Sequence, residues 1–369
     1  MSFIPPTQKI PVGILGATGL VGQRYAELLN NHPWFTITHL AASANSAGQN
    51  YRRAILGRTH FTAPILEKIL DLPVHNVDDV ATAAQNCRLV FSAIELPEKS
   101  ALRELENSYA AAGLAVVSNA SAHRGTDDVP MLIPEINHSH LKLIEAQRGQ
   151  RSWPGCIVVK PNCSLQSYLT PLYALEKAGY TLSEVMVTTL QAVSGAGYPG
   201  VASLDIIDNV VPYIGGEEDK TEQEPLKILG TLDNGAVSPR TGLTISAHCN
   251  RVPVIDGHLA CVSLKFKNQK PTLEEIINIW QSFRSLPQEF NLPFAPAQPI
   301  IYRPEENRPQ PRRDRDADKG MAVTVGRLRP CPVLDYKFVG LSHNTIRGAA
   351  GGGILNAELL VAQGYINKS

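Results

Sequence analysis

Short apolar runs alternate with amphipathic stretches along the first half of the chain. Residues 10–16 (IPVGILG) read as a buried strand and residues 21–30 as a helix. Residues 35–42 give a second strand, 88–94 (RLVFSAI) a third, 96–112 a helix and 113–118 (GLAVVS) a further strand. Residues 156–160 supply the last strand of this half. Strands that alternate with helices predict parallel βαβ units.

The second half has another texture. Residues 184–192 (EVMVTTLQA) and 259–267 (LACVSLKFK) are β-branched and partly alternating, as in a sheet with one covered face. Residues 166–178 and 272–283 read as helices, the second introduced by Pro271 and carrying Glu274 and Glu275 near its start. Residues 304–319, rich in Pro, Arg and Asp, read as an exposed loop or arm. Residues 354–365 read as a final helix after three glycines, returning to the first half. The fold expected is α/β: a Rossmann-type cofactor domain (1–158 plus 345–369) and an α+β catalytic and dimerisation domain (159–344).

At 369 residues the chain is long enough for two cores. Its 34 basic and 34 acidic side chains cancel, which argues against nucleic acid or an anionic membrane as partner. Anions must be held by a few placed cations. The six cysteines (Cys87, Cys156, Cys163, Cys249, Cys261, Cys331) show no CxxC pair and no secreted-type spacing. A reduced, cytoplasmic protein is expected, with no metal site. No apolar run reaches 18 residues, and the first ten residues lack a signal core.

Residues 13–22 (GILGATGLVG) join the first strand to the first helix. Glycines there let the backbone approach a pyrophosphate, and the helix start offers N–H donors. An NAD site usually has an acidic residue about 20 positions further on. None occurs between Glu27 and Glu67, and the second strand ends in AASANSAG with Arg52 and Arg53 close behind. Hydroxyls, amides and arginine suit a 2′-phosphate, so NADP(H) is favoured.

Cys163 lies in a polar turn, Pro161-Asn162-Cys163-Ser164, directly after an apolar strand. A thiol is little ionised near neutral pH and needs activation. A helix starting near Ser164 would help, and so would a base. The best candidate base is His258, which closes RVPVIDGH at 251–258. Taken singly, Cys163 is more often a buried small hydrophobe and His258 more often structural.

Taken together, the motifs change that balance. GATGLVGQ (16–23), SNASAHR (118–124), KPNCS (160–164), LQAVSGAGYPG (190–200), GGEEDKTEQEPLKILG (215–230), HCNRVPVIDGH (248–258) and LSHNTIRGAAGGGILNAELL (341–360) follow in order. In these, end to end, the chain resembles aspartate-β-semialdehyde dehydrogenases of the archaeal and fungal branch. The resemblance implies Cys163 as acyl-forming nucleophile, His258 as acid/base and Gln191 as the residue orienting substrate or thioester. It implies Arg251 for the substrate α-carboxylate, Glu217 for its amino group, and Arg124, Lys220 and Asn162 for its phosphate. Cofactor contacts are implied at Gly16, Thr18, Gly19, Leu20, Val21, Ser43, Ser46, Ser92, Ser194, Gly195 and Asn344. The implied reaction is NADPH-dependent reduction of L-4-aspartyl phosphate to L-aspartate 4-semialdehyde, in a homodimer or homotetramer.

Three alternatives stand beside this reading. A malonyl-CoA reductase would need no partner for an ammonium, whereas Glu217 and Arg251 suit an amino acid. An N-acetyl-glutamyl-phosphate reductase typically has an aromatic residue and proline after the cysteine, where this chain has Ser164-Leu165. A catalytically dead NADP-sensing protein would lack the nucleophile, base or substrate cation, and all are present.

Overall fold

The computed structural model describes residues 4–59, 64–233 and 235–366. Two six-stranded sheets carry the architecture. The first contains β1 (Ile10–Leu15), β2 (Phe35–Ala42), β3 (Val74–Asn76), β4 (Leu89–Ser92), β5 (Ala115–Ser118) and β6 (Cys156–Val159). Their order is β3-β2-β1-β4-β5-β6, and every pairing is parallel. β4, β5 and β6 are buried at every position, because helices cover both faces. The chain order reverses between β1 and β4, and a crevice opens at their carboxyl ends, where such sheets take ligands.

The second sheet is mixed. It contains β7 (Leu182–Gln191), β10 (Thr244–Arg251), β11 (His258–Phe266), β12 (Ile300–Arg303), β13 (Val323–Pro330) and β14 (Tyr336–Ser342). A small hairpin of β8 (Thr231–Asp233) and β9 (Ala236–Ser238) lies apart. The large sheet runs β10-β7-β11-β14-β13-β12. Burial alternates along β10 and β11, with Ile245, Ala247 and Cys249 inward and Thr244, Ser246 and His248 outward. The helices Leu169–Lys177 and Leu273–Ser282 pack against each other. The second begins in a capping box, in which Thr272 Oγ1 accepts from Glu275 N–H at 3.2 Å and Glu275 accepts from Thr272 N–H at 2.6 Å.

Three expectations change in the folded chain. The helix after Cys163 begins only at Leu169, and Cys163–Ser167 is a 3₁₀ turn. The final helix is Gly351–Ala362, so its glycines lie inside it, after a π-turn at Ile346–Ala350. They are there for contact: a Cβ on Gly353 would stand 1.9 Å from the Tyr25 hydroxyl, and one on Gly352 would stand 2.6 Å from Lys160 Cε. This helix packs on β5 and on the helix Leu20–Leu28, and is buried from Gly351 to Val361. Residues 304–319 are largely exposed, yet Asp314 is buried, where Arg308 and the Gln310 N–H bind its carboxylate.

Candidate active site

Strand direction brings the chemistry together. β7 and β10 run parallel with Gln191 opposite Arg251, so both side chains stand at the same end of the mixed sheet. β11 runs antiparallel to β7, which places its first residue, His258, at that end too. β14 ends opposite, with Ser342 paired to His258, and delivers Asn344 two residues later. Cys163 arrives from the other sheet, four residues after the end of β6. A cleft of about 460 Å³ lies between the two sheets, lined by Val21, Ala93, Ile94, Asn119, Arg124, Asn162, Cys163, Ser194, Gly195, Glu217, Lys220 and Asn344, among others.

Cys163 Sγ lies 3.2 Å from His258 Nε2. The other ring nitrogen, Nδ1, accepts the Ala192 backbone N–H at 3.0 Å. A neutral imidazole has one protonated nitrogen, so this backbone contact puts its hydrogen on Nε2, facing the sulfur. The ring is fully buried; burial, with Arg251 and His343 adding, pushes its pKa down to about 3. Burial pushes the Cys163 thiol up to about 11, and Glu217 adds to this, against the cations Lys160, Arg124 and Arg251. Cys163 and His258 therefore form a neutral pair, and the 3₁₀ turn does not supply the helix-start activation expected from the sequence. A thiol of that pKa is about one part in 10⁴ thiolate at pH 7. Alkylation of Cys163 by iodoacetamide is expected to rise about tenfold per pH unit from pH 7 to 10. A plateau near pH 7, followed by mass spectrometry, would show an ionised thiol instead.

The charged groups form one network. Glu217 is 8% exposed and accepts from three groups: Asn162 Nδ2 (2.8 Å to each oxygen), Gln191 Nε2 (3.2 Å) and Lys220 Nζ (2.9 Å). Burial raises its pKa, but Lys220, Asn162 and Gln191 outweigh burial and hold the carboxyl below its usual value. Arg251 donates from Nη1 to Ala192 O at 2.8 Å, beside the histidine. Arg124 donates to Lys160 O (2.9 Å), Asn119 O (3.0 Å) and Glu224 (2.9 Å), leaving two of its five N–H groups. Gly195 lies against two of these groups. A Cβ there would stand 2.8 Å from Arg251 Nη1 and 3.0 Å from His258 Cε1. Gly195→Ala is expected to lower kcat/KM by roughly 10–100-fold with little change in Tm, because it displaces site groups rather than core.

The cofactor side fits a dinucleotide. Gly16 has φ +75°, and a Cβ on it would stand 2.5 Å from Ala93 O, so only glycine lets the β1 and β4 loops meet. Gly19 precedes the first residue, Leu20, of the helix Leu20–Leu28, and Thr18 lies in the turn before it. Asn344 bridges the halves, accepting from Gly257 N–H and donating to Ser194 Oγ, each at 2.8 Å. Ser43 is exposed after β2, and Ser46 turns back to it through an N–H bond of 2.9 Å. Ser92 is the last residue of its strand. It is fully buried at the end of β4, and its neighbours Ala93 and Ile94 line the cleft. Arg52 is tied to Glu67 and Asp71, which leaves Arg53 without an ion-pair partner among the described residues.

The first half of the chain matches the family model described as semialdehyde dehydrogenase, NAD binding domain, over residues 11–144. Residues 169–347 match semialdehyde dehydrogenase, dimerisation domain. An aspartate-semialdehyde dehydrogenase of Cryptococcus neoformans is 46% identical over 368 residues, 98% of this chain and 99% of the relative. The chain belongs to the aspartate-semialdehyde dehydrogenase family. A member from Methanothermobacter thermautotrophicus is also 46% identical, over 95% of this chain and 99% of its own. A crystal structure of the Candida albicans enzyme with NADP has a TM-score of 0.88 at 41% identity, covering 97% of this chain and all of that one. An aspartate-semialdehyde dehydrogenase II from Vibrio cholerae shares the fold, with a TM-score of 0.74 at 24% identity.

Sequence reading missed one residue of this aspartate-semialdehyde dehydrogenase site. Glu224 accepts Asn162 N–H at 2.6 Å and Arg124 Nη1 at 2.9 Å, so it fixes the turn before Cys163 to the arginine. The signal was present. Glu217, Thr221 and Glu224 follow helical spacing, and all three are buried on the helix Glu217–Ile228. A run that looks like a solvated charge face turns a polar stripe inward. Among the described residues no group of His, Cys, Asp or Glu side chains could hold a metal ion, and no helix is long and apolar enough to cross a membrane.

Proposed function

We propose that this aspartate-semialdehyde dehydrogenase works through a thioester on Cys163, with NADPH as reductant and L-4-aspartyl phosphate as substrate. The observation that carries the proposal is the 3.2 Å contact between Cys163 Sγ and His258 Nε2, in one cleft with Glu217, Lys220 and Arg124. The substrate carries an ammonium, a carboxylate and an acyl phosphate. Glu217 takes the first, Arg251 the second by a planar two-point match, and Arg124, Lys220 and Asn162 the third.

The Cys163 sulfur attacks the acyl carbon and the S–H bond breaks as the C–S bond forms; the C–O bond to phosphorus breaks, and the thiol proton leaves with the phosphate as hydrogen phosphate. The Nε2–H of His258 and the cations Arg251, Arg124 and Lys160 favour the thiolate that attacks. Gln191, held by Glu217 and Thr189, orients the acyl group. Bound NADPH supplies hydride to the thioester carbonyl. The Nε2–H of His258 donates a hydrogen bond to the developing alkoxide, and collapse breaks the C–S bond to give the aldehyde and the Cys163 thiolate, which takes a proton from solvent to restore the thiol. The cofactor would be held by the loop of Gly16, Thr18, Gly19, Leu20 and Val21 and by Ser92, with Ser43, Ser46 and Arg53 suited to a 2′-phosphate and Ser194, Gly195 and Asn344 on the side of Cys163. The complex of the Candida albicans relative with NADP supports this choice.

The cofactor domain is assigned to residues 1–158 plus 345–369 and the catalytic and dimerisation domain to 159–344. A cytosolic homodimer or homotetramer assembles through the second. The test is phosphate-dependent reduction of NADP by L-aspartate 4-semialdehyde, compared with NAD. Absence of turnover, or turnover without phosphate, sinks the reading.

A further inference from the structure

The Glu217 carboxylate is engaged on every side by its neighbours. A carboxylate offers about four lone-pair positions on its two oxygens. Oε1 takes one contact from Asn162 and one from Lys220; Oε2 takes one from Asn162 and one from Gln191. An arriving ammonium must therefore displace a partner. Asn162 is 4% exposed and Gln191 1%, and each is held elsewhere, Asn162 by Ser164 and Gln191 by Thr189. The Lys220 side chain is 31% exposed and has a single polar partner among the described residues, Glu217. It is the partner that can leave.

We propose that the Glu217–Lys220 ion pair is a latch opened by the substrate: the α-ammonium takes the place of Lys220 on Glu217, and the freed lysine turns to the phosphoryl group. The inference rests on the reading above, in which Glu217 receives the amino group and Lys220 serves the phosphate. It adds that the two subsites are coupled. Arg124 is pinned by three bonds, to Lys160, Asn119 and Glu224, so Lys220 is the movable cation of the pair. No charge is left unpaired at any stage, since one ammonium replaces another on the same carboxylate. Selection for an amino acid follows. An acyl phosphate without the α-ammonium leaves Lys220 latched and meets one phosphate cation in place of two.

The coupling can be measured with inorganic phosphate as the probe, on the full-length protein, by titration calorimetry. Coupling is reciprocal, and exchange of one ion pair is of the order that shifts affinity about five- to tenfold. Phosphate is expected to bind the wild type about five- to tenfold tighter with saturating L-aspartate than with succinate, which lacks only the ammonium. Glu217→Gln should bind phosphate at the tighter level with either ligand or none. In Lys220→Met the difference between L-aspartate and succinate should fall below about twofold. Equal phosphate affinity with both ligands in the wild type overturns the latch, and that arm needs no variant. An undiminished difference in Lys220→Met also overturns it, because attraction by the added ammonium alone would then explain the effect. Wild-type turnover separates the two levels. Turnover without coupling removes the latch and leaves the function, whereas absence of turnover removes the reading on which it rests.

Discussion

Cys163→Ser is expected to lower kcat by about 10³-fold or more while NADP binds as in the wild type. The serine oxygen is a poorer nucleophile near neutral pH and a poorer leaving group when the adduct collapses. The geometry around it would persist, because the side chain touches His258 and not the dinucleotide loop. Rapid quench with aspartyl phosphate should show no acyl-enzyme, and fluorescence titration should show unchanged cofactor affinity. A variant with more than a tenth of wild-type rate would mean that another group carries the acyl transfer. The neutral resting pair sharpens this expectation. With the thiol raised to about 11 and the imidazole lowered to about 3, the sulfur has no standing negative charge to lose, so the loss measures nucleophilicity itself.

Arg251→Leu should lower kcat/KM for aspartate semialdehyde by roughly 10²–10³-fold, mostly through KM. The guanidinium is 7% exposed, ends β10, and is aimed by its bond to Ala192 O. Ala192 also holds His258 through its N–H, so Arg251 and His258 are positioned from one residue. Arg251→Lys should recover little, since an ammonium cannot offer the two parallel donors. An unchanged specificity constant in Arg251→Leu would assign the carboxylate to another residue. A fall in kcat alone would make Arg251 a positioning group for His258.

How much of this was legible beforehand depends on the length scale of each feature. The βαβ half could be read because its strands are continuous apolar runs and its helices are amphipathic. β3 was missed, with three residues too short to show a period. β10 was missed because the segment read as a motif, although its inward residues Ile245, Ala247 and Cys249 alternate with polar ones. The side chains around Cys163 could be listed from motifs, but their burial could not. Ser92 ends a strand that is buried at all four positions, which its residue type alone does not show.

The sequence by itself determined the local features: a glycine loop after a strand, a cysteine in a polar turn, and a few placed charges in a chain whose charges otherwise balance. Those are properties of residue type and local spacing. Tertiary structure decided the rest, because it concerns residues far apart in the chain. The parallel β7–β10 and antiparallel β7–β11 pairings bring Gln191, Arg251 and His258 to one edge. A backbone N–H from Ala192 sets which imidazole nitrogen holds the proton. Burial, rather than a helix start, sets the resting protonation of the thiol. The same packing turns Glu224 inward and gives Glu217 its full set of partners, so a charge run that looks solvated in the sequence becomes the wall of the cleft.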